Sequence, residues 1–435
     1  MNGYPTHFNI VTERTTQALS ATGFDHLLIA SGVLKYHVFD DRPYPFRANP
    51  HFSAWLPLSQ HADCWLAFTP GQRPRLAYHQ PDDYWHLPPA PPSGPWTEHL
   101  DIEIIRSPEE AVRLRPGSGR IAVIGEADAA LPGLEPNNPP ELLARLHYPR
   151  AIKTDYELDC MRQASARAVR GHRAARRAFE SGGSERDIHL AYLTATGHTD
   201  LDLPYGNIIG LNQHGAVLHY QHQDAERPAR HDSLLIDAGA EVAGYAADIT
   251  RTWSGGDPDF QALIDAVDAV QRDLVAAVRP GRDYRDLHLR AHHELAGVLQ
   301  RLGIVAMDPD AQVTSGLTRA FFPHGLGHLL GVQVHDVGGL QREPAGGEIP
   351  RPDGHPWLRL TRTLEPGMAV TIEPGIYFID SLLDPVRQGR QAAAIDWDAI
   401  AHLRRFGGVR IEDDVVCTET TPENLSRDAF AAADH

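Results

Sequence analysis

Four apolar stretches in the second half of the chain each carry a carboxylate or an imidazole inside them or at their end, next to glycine. They are SLLIDAGAEVAGYAADITRTW (233–253), FFPHGLGHLLGVQVHDVGG (321–339), LEPGMAVTIEPGIYF (364–378) and GGVRIEDDVVCTE (407–419). An isolated charge buried in such a strand costs several kcal/mol unless something compensates it. A fold that buries these strands must therefore bring the charges together or supply counter-charges.

In the first stretch Asp237 closes one β run and Asp248 interrupts the next, with Gly239 and Gly244 available for the turn. A hairpin would bring the two carboxylates together. The plainer alternative is that each Asp pairs with a basic residue or caps a turn. The second stretch sets His324, His328 and His335 among five glycines, so backbones can approach closely and imidazoles converge. Its glycine spacing is not that of a dinucleotide loop. In the third, Glu373 ends AVTI and is held by Pro374-Gly375. In the fourth, period-two alternation puts Arg410, Glu412 and Asp414 on one face, which is either a cavity wall or a surface ladder of ion pairs. Four carboxylates and one imidazole (Asp237, Asp248, His328, Glu373, Glu412) form an oxygen-rich donor set that suits Mn²⁺, with Co²⁺ or Zn²⁺ as alternatives. So many carboxylates exceed the charge of one divalent ion, whereas two ions with bridging carboxylates balance them and would generate a bridging hydroxide for hydrolysis. The stretch His292-His293-Glu294 approaches a zinc-protease helix motif, but Gly297 stands at the place of the second histidine, and the segment reads as an exposed helix face.

The 435 residues predict two or three domains. Residues 1–153 alternate short apolar runs (HLLIASG, CWLAF, RLAY, RIAVIGE) with helix-like segments, an α/β rhythm, and the proline-rich stretches 80–96 and 131–140 read as loops. Residues 154–435 read as α+β: two amphipathic helices broken at Ser181-Gly-Gly with Ser184 as a cap, two more over 258–302, and a mainly antiparallel sheet. Forty basic against 57 acidic side chains give a formal charge of -17, which argues against nucleic acid as a partner. No apolar run approaches the ~20 residues of a membrane span. The three cysteines, Cys64, Cys160 and Cys417, lie far apart, and the N-terminus lacks a secretory pattern, so a reducing, cytoplasmic setting is expected.

These motifs, with DAG at 237–239, YAADITRTW at 245–253, PHGLGH at 323–328, VHDVGG at 334–339, TIEPGIYF at 371–378 and RIED at 410–413, resemble the pita-bread metallopeptidases, within them the bacterial Xaa-Pro dipeptidases, or prolidases. The resemblance implies a creatinase/aminopeptidase-like catalytic domain behind the α/β N-terminal domain. It makes Asp237, Asp248, His328, Glu373 and Glu412 the ligands of a two-metal, typically manganese, centre, with Asp248 and Glu412 bridging. It makes His219 and His335 the imidazoles that meet the substrate and stabilise the tetrahedral intermediate, and Glu373 the group that moves protons. Arg359 and Arg410 match the family's basic positions, and an arginine fork suits the free carboxylate of an Xaa-Pro dipeptide.

The long insertion between Glu373 and Glu412, together with FDDRPYPFRANPHFSAWLP (39–57), is similar to bacterial prolidases and to organophosphorus acid anhydrolases, which implies a side activity on phosphotriesters. In such enzymes the first domain reaches over the partner's site in a homodimer, which would make Tyr84, Trp85 or Asp41 a pocket wall. Leu329 stands where many relatives carry proline, a change that leaves coordination intact and could loosen the loop. Two other readings are an aminopeptidase P acting on longer Xaa-Pro peptides and a non-catalytic binding protein of the same fold.

Overall fold

The structure is a computed structural model that describes residues 3–433. Its packing divides the chain into two compact units, Met1–Cys160 with Val242–Tyr245 and Glu343–Gly347, and Met161–Glu241 with Ala246–Arg342 and Glu348–His435.

The first unit is an α/β layer. Five strands, β1 (His26–Ala30), β2 (Trp65–Phe68), β3 (Arg75–His79), β4 (Asp101–Ile105) and β5 (Ile121–Ile124), form one mixed sheet in the order β4-β3-β2-β1-β5. β1 runs antiparallel to β2 and parallel to β5, and β3 runs parallel to β4. Leu28, Trp65, Ala77, Ile105 and Val123 build its core on one face. The helix Tyr4–Thr22 buries Tyr4, Phe8, Ala18 and Leu19 and stops at Gly23, whose positive φ lets its N–H close on the Leu19 carbonyl. The stretches 80–94 and 131–139 hold no helix or regular strand, as their prolines require.

The second unit is α+β. Its strands are β6 (Ile208–Leu211), β7 (Ser233–Asp237), β8 (Glu241–Val242), β9 (Tyr245–Ala246), β10 (Thr250–Ser254), β11 (Gln341–Glu343), β12 (Gly346–Glu348), β13 (Ala369–Ile372), β14 (Gly375–Tyr377), β15 (Gly408–Arg410), β16 (Asp413–Val416) and β17 (Glu423–Asn424), with the tips of β8, β9, β11 and β12 lying in the first unit. β10-β7-β6 and β13-β16-β17 are antiparallel sheets, and β14 pairs with β15. Single bridges join Glu412, between β15 and β16, to Thr250 of β10, and Leu329 of the loop before β11 to Val370 of β13.

Helices Asp155–Glu180, Glu185–Thr196, Pro258–Ala276 and Tyr284–Arg301 accompany these sheets. The first two break at Gly182, which takes φ 75°, and Ser184 caps the second by accepting from the Asp187 N–H at 3.1 Å. Ala175, Phe179, Ile188 and Tyr192 from these helices meet Ile209, Leu234, Ile236 and Ala238 of the sheet in one apolar cluster. The core thus lies on the helical side. Among the described residues no helix is long and apolar enough to cross a membrane, and all three cysteines are free and buried.

Candidate metal centre

The sheet edges converge on a cavity of about 260 Å³ lined by His219, Asp237, Asp248, His324, His328, His335, Trp357, Arg359, Glu373, Arg410 and Glu412, with Leu218, Pro323 and the loop glycines completing the wall. All of these belong to the second unit.

Backbone pairing explains how the carboxylates arrive there. Asp237 ends β7 opposite Thr250 of β10, and the turn between them passes through Ala243 and Gly244, both at positive φ. Asp237 and Asp248 consequently lie close enough for one phenol, Tyr205, to reach both, at 2.8 and 2.5 Å. Gly239 makes that turn possible, since a Cβ there would run into the Ala247 carbonyl oxygen. Gly327 does the same beside His328, where a Cβ would meet the Thr371 carbonyl. Between β15 and β16 the chain swings Glu412 under β10, where its Oε2 accepts from the Thr250 hydroxyl at 2.6 Å. Val409 to Val416 are buried on both faces, so this segment is not a surface ladder of ion pairs. Leu329, beside His328, is buried and bridged to Val370.

Asp248, His328 and Glu412 each offer a ligand atom within 4.8 Å of the others. His328 Nδ1 lies 3.0 Å from the Leu329 carbonyl, which only an N–H can satisfy, so Nε2 carries the lone pair and faces Asp248 at 3.5 Å and Glu373 at 3.9 Å. Glu373 stands at the end of β13 with its N–H fixed on the Leu326 carbonyl. Asp237 is held by Arg410 at 2.8 Å. That arginine is buried, and its other donors go to the Tyr377 hydroxyl and Thr250 Oγ1. Tyr377 in turn lies 2.7 Å from His324 Nε2, whose Nδ1 is bound to the Gly325 carbonyl.

The electrostatics of the metal-free protein express a charge excess. Burial pushes Glu412 well above the usual carboxylate range, and Asp248, Glu373 and Asp237 push it further. Burial likewise raises Glu373 to about 7, against the pull of His328 and Arg410. Asp237 is raised by burial despite Arg410. Burial alone would lower His328, but the Asp248 and Glu373 carboxylates outweigh it and raise it. Four carboxylates thus share one guanidinium and one imidazole, and the remaining negative charge must be met by protons or by cations. A buried oxygen-rich cluster with one imidazole whose lone pair points inward fits divalent ions.

His335 packs edge-on to His328, with ring centroids 4.4 Å apart, and desolvation followed by His328 and Arg359 lowers it to about 4. His219 and Arg359 are exposed at the cavity wall, and among the described residues Arg359 makes no ion pair. Trp85 and Tyr84 belong to the first unit, their rings tilted against each other and largely exposed, and are not in the lining. Tyr205, Tyr377, Thr250 and Trp357 are site residues that sequence reasoning passed over. Buried tyrosines and threonines on strands are ordinary, and only the fold shows what their hydroxyls touch.

The profile described as metallopeptidase family M24 matches residues 159–419, the span that holds every one of these cavity residues. The chain belongs to metallopeptidase family M24. A second profile, the Xaa-Pro dipeptidase N-terminal domain, matches residues 2–148 of this M24 protein. An Xaa-Pro dipeptidase of Xanthomonas campestris pv. campestris is 55% identical over 431 residues, covering 99% of this chain and 98% of the relative. Among solved structures, Pseudomonas aeruginosa aminopeptidase PepP has TM-score 0.72 at 24% identity, covering 98% of each chain. Escherichia coli aminopeptidase P with the inhibitor Pro-Leu has TM-score 0.73 at 22% identity, covering 98% and 99%. At those identities the two structures speak for the fold alone, the pita-bread fold behind an N-terminal domain.

Proposed function

We propose that this M24 enzyme is an Xaa-Pro dipeptidase, working as a cytoplasmic homodimer with two divalent ions, Mn²⁺ in the first place, held by Asp237, Asp248, His328, Glu373 and Glu412. The observation that carries the reading is the cavity itself: a carboxylate excess at its floor beside an unpaired guanidinium, Arg359, on its wall. The floor calls for cations and the wall for an anion. A dipeptide ending in proline supplies that anion close to its scissile bond, whereas a longer peptide offers none there. The full-length similarity to a protein named Xaa-Pro dipeptidase supports the same choice.

Bound divalent ions would supply an activated water at neutral pH and polarise the scissile carbonyl. The protein's own groups do the rest. Glu373, at the cavity floor beside the proposed ions, is placed to take a proton from water and return it to the departing proline nitrogen. His335, kept neutral at pH 7, can donate to the carbonyl oxygen as charge grows there, and His219 faces the same space. Arg359 fixes the terminal carboxylate, while Trp357 and Leu218 give the proline ring an apolar wall. Arg410 orients the ligand Asp237 and, through Tyr377, the neighbouring His324 of the cavity wall. Trp85, with Val38, Phe39, Tyr84 and Leu87, makes the first unit unusually rich in exposed apolar side chains. In the dimer we assign Trp85 to the rim of the other subunit's cavity. The three buried thiols, none in a disulfide, support a reducing compartment.

The direct test strips metal with chelator and restores Mn²⁺ while following Gly-Pro cleavage. Activity should vanish and return in step with bound metal. Undiminished cleavage by metal-free protein would overturn the reading.

A further inference from the structure

Away from the cavity, three imidazoles of the second unit converge: His288 and His292, one turn apart on the helix Tyr284–Arg301, and His355, from the segment between β12 and β13. Their ring centroids stand 4.8, 4.6 and 4.6 Å apart, each pair steeply tilted, and a nitrogen from each lies within 4.8 Å of the others. The helix pair therefore faces inward, contrary to the exposed-face reading of His292-His293-Glu294: His292 is 0% exposed and His288 1%, while His293 does face solvent. A four-residue spacing places two side chains on one helical face, and Phe322 packs against both rings.

The cluster is incompletely satisfied. His288 Nδ1 and His292 Nε2 are buried with no hydrogen-bond partner, a costly state for a polar nitrogen. His288 Nε2 and His355 Nδ1 face each other at 2.8 Å, an arrangement that needs one proton between two nitrogens and that a cation can replace. His292 Nδ1 pairs with the buried Thr318 hydroxyl at 2.9 Å; with its proton there, Nε2 is left as a lone pair, the support a metal-ligating histidine ordinarily has. Burial and the neighbouring rings hold His288 and His292 below the usual histidine range, so both are neutral ligands at pH 7.

We propose that His288, His292 and His355 form a zinc site separate from the dinuclear centre. Imidazoles without thiolates or carboxylates suit zinc, and a tripod built from a helix pair and a crossing loop matches tetrahedral coordination better than the planar one Cu²⁺ prefers. Water completes the fourth position from the side of His355, the half-buried member. Arg319, whose side chain approaches Gly354, opposes the added charge, but it lies in solvent and is screened. An ion here would tether the helix to the segment that continues through Trp357 to Arg359, and so brace the cavity wall. The site does not depend on the dipeptidase reading.

The test uses the Mn²⁺-loaded full chain saturated with Zn²⁺. Anomalous diffraction above and below the zinc edge should place an ion among the three rings in addition to any in the acidic cavity. The His355→Ala variant, altered at the least buried ligand so that folding is preserved, should lose that peak and bind one zinc fewer per subunit than wild type. Wild-type crystals saturated with zinc that show no anomalous density among the three imidazoles would overturn the proposal.

Discussion

In the proposed enzyme Glu373 serves as proton carrier and metal ligand in one place, and its surroundings bear on both roles. It is raised to about 7 because burial and two neighbouring aspartates outweigh His328 and Arg410. In metal-free protein that carboxyl is half protonated near neutrality, and burial among the other carboxylates raises Glu412 as well. Metal uptake at pH 7 should therefore release protons, measurable by titration calorimetry in buffers of different ionisation enthalpy; identical heats in all buffers would contradict this. Arg359→Ala should raise KM for Xaa-Pro dipeptides roughly 10- to 100-fold with kcat little changed, the loss expected of one charge-assisted contact. A fall in kcat with constant KM would instead place Arg359 in the chemistry. The four proposed carboxylate ligands were legible in the sequence because a carboxylate within an apolar strand is anomalous on energetic grounds, and His328 because it stands with His324 and His335 among closely spaced glycines. Tyr205 and Trp357 carried no such anomaly, since aromatic residues are expected in cores and on surfaces alike.

At the scale of elements, the site depends on strands whose close approach is set by glycine. Gly239→Ala should lower stability by about 1–3 kcal/mol, because its Cβ meets backbone oxygen and not a movable side chain. It should also weaken metal binding by displacing Asp237, and thermal melts with metal titrations would read both. An unchanged melting temperature would show that the turn adapts. The helices over 155–196 were readable from sequence through Gly182 and Ser184, whose conformation and cap have direct chemical signatures. β4 was not readable: DIEII is short, charged and on the sheet edge, so its pairing with β3 comes from neighbours and not from its own pattern. The His292-His293-Glu294 face was misjudged for a related reason, since a polar triplet does not reveal which of its members a helix turns inward.

For the whole molecule, the raised groups make metal-free stability depend on pH. Glu373, Glu412, Asp237 and His328 all bind protons more tightly when folded. Their contribution is complete below the unfolded-state values and is lost as pH rises through the folded ones; Asp248, which is lowered, acts in the opposite sense only below about pH 4. The lowered histidines His288, His292 and His335 act in the opposite sense below about pH 6.5, so the melting temperature of metal-free protein should fall from about pH 7 to pH 8, and saturating Mn²⁺ should flatten that slope. A flat metal-free profile would contradict the charge excess. The proposed homodimer predicts sedimentation as two chains and a KM increase in Trp85→Ala with metal content unchanged, whereas a fully active monomer would exclude the shared rim. The central claim, that an acidic two-metal floor works with a carboxylate-binding wall, is tested most directly by comparing kcat/KM for Ala-Pro and Ala-Pro-Ala on the Mn²⁺-reconstituted protein. The account predicts that the dipeptide is preferred by roughly 100-fold, as expected when one substrate satisfies Arg359 and the other leaves it unpaired. Equal or better cleavage of the tripeptide would contradict it.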